Sequence, residues 1–346
     1  MSQMTPKERV ERLFKKEPID TMPLFSGMGM VCIQAVKELG IRFAQVHTTA
    51  KNLADSARKT AEMYGFDAVI VPYDMCTIPE ALGRGVSLYE QSEDILYPTV
   101  PNKWAKLEDV DIPADFLTRG RMPVVDEAMR LLKSGNGYPL GGWVLGPFTM
   151  AGQIIELDLL LKGVKKDKDR VVAFLDKMTD LVLKTAQHYE EIGADYITIR
   201  DMGTGTDLLS PRMWKQFIMP NLQRIFENLK KPCINHICGS TDLIIEMMND
   251  CGATAVSVDH KNHVEESRKK LGNDALIFGD FDAYGLLVTG EASAVEPAIK
   301  QTIERGVDAV WPGCDLWPDV KKENVEALVA AVRKHGKGRS PAVGRV

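Results

Sequence analysis

At 346 residues the chain is long enough for one large α/β barrel or two ordinary domains. Its 45% hydrophobic and 26% charged content is that of a water-soluble protein with a sizeable core, and a net charge of −5 offers no basic stripe to a nucleic acid backbone. No apolar run approaches the roughly 20 residues of a membrane span and no secretory signal opens the chain; with six scattered cysteines, a cytoplasmic protein with reduced thiols is expected, away from membrane and nucleic acid.

Residues 1–18 alternate charged and apolar side chains at helical spacing, which predicts an N-terminal helical extension. Eight short apolar runs follow, each closed by Gly, Pro or Asp: Met22 to Gly27, Ala68 to Pro72, Pro139 to Gly146, Tyr196 to Asp201, Pro232 to Ile237, Ala255 to Asp259, Leu276 to Asp280 and Asp308 to Gly313. Between them lie helical patterns. Lys166 to Glu191 carries Val171, Phe174, Leu175, Met178, Leu181 and Val182 on one face and stops before Gly193. Ser210 and Pro211 are an N-cap and first-turn proline, opening a helix toward Leu229. Pro79 to Arg121 is irregular and reads as an insertion after the second run. Continuous apolar strands alternating with helices imply a parallel sheet buried on both faces, and eight such units fit a (β/α)8 TIM barrel occupying 1–346 as a single domain.

Barrel enzymes carry their chemistry at the C-terminal ends of the strands. His236 and Cys238 stand two apart at the end of one run, pointing the same way, and Cys314 stands at the end of another. One imidazole and two thiolates suit Zn2+, and three protein ligands leave a tetrahedral position open, as in a catalytic site. Glu80 or Cys76 is the place to look for a fourth protein ligand. Among the acidic rim residues, Asp201 and Glu80 are the expected catalytic groups, with Arg200 marking a charged cavity; Asp259, Trp143 and Trp311 are the expected cofactor contacts. Each carboxylate has the alternative of capping the next helix, and the tryptophans that of packing the barrel wall. His260 and His263 fall on a polar loop, and His47, His188 and His335 read as surface residues.

Together with Thr5 to Arg9, Arg119 to Val125, Gly193-Ala194-Asp195, Leu209-Ser210-Pro211 and Glu323 to Val329, the segments His236-Ile237-Cys238-Gly239 and Pro312-Gly313-Cys314 resemble the uroporphyrinogen decarboxylase superfamily. Within it the chain is similar to the methylcobamide:coenzyme M methyltransferases. The resemblance implies a (β/α)8 barrel with His236, Cys238 and Cys314 as zinc ligands, passing a methyl group from a methylcobamide protein to a small zinc-activated thiol such as coenzyme M. The Asp-x-His-x-x-Gly segment of corrinoid carriers is absent, so the carrier is expected as a separate partner docking over the rim, helped by Pro79 to Arg121. Arginines that would pair a porphyrinogen's carboxylates have no counterpart around Phe25 to Met30, which disfavours the decarboxylase branch. Trp143, Trp311, Trp317 and the segment Gly279 to Ala283 depart from the pattern. They keep open a donor-side enzyme that demethylates a methoxylated, methylthio or methylamine substrate onto Co(I), and transfer to a tetrahydropterin. A non-catalytic zinc protein and a homodimeric assembly also stay open.

Overall fold

A computed structural model describes residues 3–135 and 137–338; the extreme ends of the expected 1–346 domain lie outside these. The N-terminal helix Pro6–Phe14 begins where the Thr5 hydroxyl accepts from Glu8 N, with Pro6 in the first turn, and it buries Arg9, Val10 and Leu13.

Seven strands follow: β1 Val69–Val71, β2 Leu140–Leu145, β3 Tyr196–Arg200, β4 Cys233–Ile237, β5 Ala255–Val258, β6 Leu276–Phe281 and β7 Ala309–Pro312. They pair in chain order and in parallel, β1 beside β2 through to β7. The run expected as the first strand, Met22 to Gly27, is extended but forms no regular strand, because Pro23 has no N–H to give a ladder. It nonetheless closes the ring. Val310 N donates to Pro23 O at 2.9 Å and Phe25 N to Val310 O at 3.4 Å, while on the other side Asp67 N donates to Leu24 O at 2.9 Å. The architecture is therefore TIM-barrel-like, with the eighth stave reduced to a short bridge.

The helix expected over Lys166 to Glu191 is found as Lys168–Ile192, ending before Gly193, and a shorter helix, Leu157–Lys166, precedes it across Asp167. Ser210 does cap its helix, accepting from Met213 N, but Pro220 divides the stretch into Pro211–Phe217 and Met219–Glu227. Pro79 to Arg121 is built into the body rather than looped off it: Leu107, Val110 and Phe116 are buried, and Trp104 N donates to Ile154 O. Among the described residues no helix is long and apolar enough to cross a membrane.

Inside the ring, side chains stack in layers beneath the C-terminal rim. Phe14 of the N-terminal helix closes the lower end against Tyr196 at 5.7 Å and Phe278 at 6.1 Å. Phe25 and Phe278 then contact Trp311 at 5.0 and 5.6 Å. A Cβ on Gly27 would come within 2.4 Å of Trp311, so only glycine lets this indole fill the barrel. This aromatic plug leaves the functional groups above it a single open end.

Candidate metal centre

On β3 and β4 the residues Arg200 and His236 are register partners, and both lie at the strands' C-terminal ends. His236 is fully buried; Cys238, past the end of β4, and Cys314, past the end of β7, are half-buried. His236 Nε2 lies 3.1 Å from Cys238 Sγ, which lies 2.9 Å from Cys314 Sγ. Behind the imidazole, Nδ1 is 2.8 Å from Ser257 Oγ on β5. A proton on Nδ1, given to that hydroxyl, leaves the Nε2 lone pair facing the sulfurs, which is the tautomer a metal needs. Burial and then the nearby Arg200 cation lower the His236 pKa, keeping the ring neutral.

The two thiols are pushed in opposite directions. The hydrogen bond from Cys238, aided by His236 and Arg200, holds Cys314 well below the ordinary thiol range, and the same bond with burial pushes Cys238 up. Arg200 Nη2 stands 3.8 Å from Cys238 Sγ, 3.6 Å from Cys314 Sγ and 3.0 Å from Cys314 O.

A family model described as uroporphyrinogen decarboxylase (URO-D) matches residues 5–335. The chain belongs to the uroporphyrinogen decarboxylase family. Within this family it is 30% identical over 334 residues to a methylcobamide:CoM methyltransferase, MtaA, of Methanosarcina barkeri, covering 96% of this chain and 98% of that protein. It is 27% identical to a methylcobamide:CoM methyltransferase, MtbA, of Methanosarcina acetivorans, covering 97% and 99%. A uroporphyrinogen decarboxylase of Geobacillus kaustophilus is 26% identical, covering 80% and 82%. Among solved structures, a methyltransferase from Methanosarcina mazei superposes with a TM-score of 0.88 at 31% identity, covering 96% of this chain and 99% of that one. The resemblance read from the motifs, and the barrel it implied, are both borne out.

The residues of this uroporphyrinogen decarboxylase family member fit a zinc ion in chemistry and direction. Their spacing is tighter than a bound ion imposes: tetrahedral ligands at about 2.3 Å from zinc stand about 3.8 Å apart. Correspondingly, no three His, Cys, Asp or Glu side chains among the described residues stand at metal-holding distances. Both cysteines sit beyond strand ends, and a bound ion asks their sulfurs to stand about 1 Å further apart than the 2.9 Å seen.

The other expected site residues divide into those that brace the triad and those that lie elsewhere. Asp259 accepts from Gly239 N at 2.9 Å, tying the residue after Cys238 to the loop after β5, and its other oxygen lies 2.7 Å from His260 Nδ1. Gly239 has φ +84°, a left-handed turn that glycine adopts without strain. Asn262 completes the brace, donating to Gly239 O and accepting from Thr241 N. Asp201 is fully engaged with the start of the helix Pro147–Ile154: Thr149 N and Oγ1 donate to it at 2.7 and 2.8 Å. Burial raises its pKa to about 6 against these hydrogen bonds.

Glu80 belongs to a separate buried cluster. Arg121 donates to Glu80 at 2.7 Å and to Asp74 at 2.7 Å, and Asp74 in turn meets His47 Nδ1 at 3.1 Å. His47, expected on the surface, is thus buried; its polar sequence neighbours gave no sign of the Asp74 partner. Cys76 donates to Pro98 O, and burial pushes its thiol up to about 12. Trp143 donates Nε1–H to Pro72 O at 2.7 Å inside the barrel wall, and Trp311 is wholly enclosed in the aromatic plug. Trp317, on the loop after β7, and Tyr284, opening the short helix after β6, are by contrast 41% and 47% exposed, ring edge to ring face at 5.3 Å.

Ser257, Asn262 and the approach of Arg200 to both sulfurs escaped the sequence. Ser257 alone left a trace there, as a hydroxyl inside an otherwise apolar strand.

Proposed function

We propose that this protein is a zinc-dependent methyltransferase that moves a methyl group from a corrinoid-bearing partner protein to a small thiol. The observation that carries this reading is the convergence of His236, Cys238 and Cys314 at the open end of the barrel, in a chain whose relatives include two methylcobamide:CoM methyltransferases. Zinc held by these three residues would bind the acceptor thiol as its thiolate at neutral pH and leave one coordination position for it.

The chain itself does the rest. Ser257 orients the imidazole, Asp259 and Asn262 fix the turn that carries Cys238, and Arg200 places a permanent cation against both sulfurs. Asp201 acts at one remove, holding the start of the Pro147–Ile154 helix beside the rim. Burial on all sides beneath the triad excludes water, so the nucleophilic sulfur is approached only from the open end.

The corrinoid remains with its carrier. Four exposed apolar side chains follow the C-terminal ends of four strands: Leu208 and Leu243, 50% and 69% exposed, after β3 and β4, with Tyr284 and Trp317 after β6 and β7. Apolar and aromatic groups around a catalytic mouth suit a protein partner that must lay its cofactor over it. Coenzyme M is the acceptor named in the relatives and the first to test here. All six cysteines are unpaired, which suits work in the reducing cytoplasm.

The test is to load the protein with zinc and supply methylcobalamin with coenzyme M or homocysteine, following cobalt reduction by absorbance and the methyl thioether by mass. Thiol-dependent demethylation that disappears together with zinc in Cys314→Ala is expected. No demethylation with any thiol, but methylation of Co(I) by a methylthio or methoxy donor, would reverse the direction of transfer.

A further inference from the structure

Arg200 is a fully buried cation that, among the described residues, has no carboxylate at hydrogen-bond distance. Its described contacts are the two thiol sulfurs, the Met202 sulfur at 3.5 Å and the Cys314 carbonyl, and its Nε and Nη1 have none. The other buried arginines are neutralised at hydrogen-bond distance, Arg9 by Asp20 and Asp67, Arg121 by Asp74 and Glu80. Asp315 is the carboxyl whose field reaches Arg200 from further away, acting through space rather than by a hydrogen bond.

An isolated buried charge is costly, and buried polar groups left unpaired are rare enough to need a reason. Here the reason lies in the charge of the site. Two thiolates and a neutral imidazole just balance a divalent ion, so a metal bound by His236, Cys238 and Cys314 adds no net negative charge for Arg200 to meet. The assembled centre keeps the positive charge of Arg200 in a water-poor pocket, where charge interactions are strong. It lacks one anion.

Building on the zinc methyltransferase reading, we propose that Arg200 is a specificity-determining residue that makes the centre select an anionic ligand, a thiolate, over a neutral one of the same shape. The thiolate acceptor is held, whereas its product, the neutral methyl thioether, no longer answers the arginine and leaves. One residue thereby favours acceptor binding and product release together. Its placement fits this role: Nη2 lies within 4 Å of both donor sulfurs, so a third ligand on the same ion falls within its field, and β3 holds it rigidly beside His236.

The test compares binding rather than turnover. Zinc-loaded wild type, Arg200→Gln and Arg200→Lys are titrated by calorimetry with 2-mercaptoethanol and with its S-methyl ether, after zinc content is verified. In Arg200→Gln the affinity for the thiol should fall by about 10- to 100-fold, the span of a charge-assisted hydrogen bond, with the thioether affinity unchanged and zinc retained. Arg200→Lys, which keeps the charge and the fold if glutamine does not, should preserve a preference for the thiol within about tenfold of wild type. An Arg200→Gln protein that binds the thiol as wild type does, or that loses thiol and thioether equally, overturns the proposal, as does a lysine variant without preference. If wild-type zinc protein binds no thiol at all, the methyltransferase reading itself fails and this inference falls with it.

Discussion

At the closed end of the barrel, Arg9 gives Nε and Nη2 to Asp20 at 2.7 and 2.8 Å, Nη1 to Asp67, and a further bond to Met4 O at 3.0 Å. At the open end, Arg200 is buried just as deeply but faces sulfur and a carbonyl, with two of its nitrogens unpaired. The first arrangement ties the N-terminal helix to Asp67, two residues before β1, and is complete in itself. The second is complete only when something else is bound. A saturated buried network marks a part of the molecule that holds the fold, and an unsaturated one marks the part that acts.

The strongest way to break this contrast is to measure what each arginine contributes to stability. Arg9→Ala leaves the buried Asp67 only its longer pairing with Arg333 at 3.2 Å and should cost about 3 kcal/mol in denaturant unfolding, whereas Arg200→Met, which removes an uncompensated charge, should cost less than about 1 kcal/mol or stabilise the metal-free protein. Equal losses would erase the distinction. The pH dependence sharpens it further. Asp280 is buried, with one oxygen unpaired and Arg305 at 3.1 Å from the other, and burial raises its pKa to about 6. The folded state therefore holds a proton that the unfolded chain has released above about pH 4. Stability from this group is full below pH 4 and is lost as pH rises through 6, by no more than about 3 kcal/mol. Asp280→Asn should flatten the unfolding profile across that window; an unchanged slope would place the titration elsewhere. Asp20, lowered to about 2 chiefly by its hydrogen bond from Arg9 against the penalty of burial, works in the opposite sense, its contribution vanishing only as pH falls through 2.

Smaller effects are expected at the edges of the open end. Ser257→Ala removes the partner of His236 Nδ1 and should weaken zinc by about 10- to 100-fold in a chelator competition, with the fold intact; full affinity would show that the hydroxyl does not orient the ring. Replacing both Tyr284 and Trp317 by alanine should slow transfer from a corrinoid carrier by about fivefold or more while leaving the reaction with free methylcobalamin unchanged. Equal slowing of both would take these aromatics out of the docking surface. Deleting Pro79 to Arg121 is not an equivalent probe, because Arg121, Leu107 and Phe116 belong to the buried body.

Much of the closed end and part of the open end were legible in the sequence. Alternating apolar runs and helices gave the barrel, since a parallel strand buried on both faces leaves an unmistakable pattern, and Met22 to Gly27, read as a full strand, falls short of one because Pro23 lacks an N–H. His236, Cys238 and Cys314 could be singled out because ligand chemistry and strand-end position coincide. What could not be read was which polar residues spend themselves on each other. Glu80 and Asp201 look as available in the sequence as Asp259 does, yet one answers Arg121 and the other a helix start. Such pairings span 41 and 52 residues and leave no local mark. The same distance effect made Trp311 look like a rim aromatic, although Gly27 opens the space that buries it.

The most direct test of the account is zinc content together with zinc K-edge absorption, measured with and without a small thiol. The account predicts one zinc bound by two sulfurs and one imidazole, gaining a third sulfur when the thiol is added. A protein that binds zinc but never gains that sulfur would contradict the thiol-accepting role, and one that binds no zinc would contradict the centre itself.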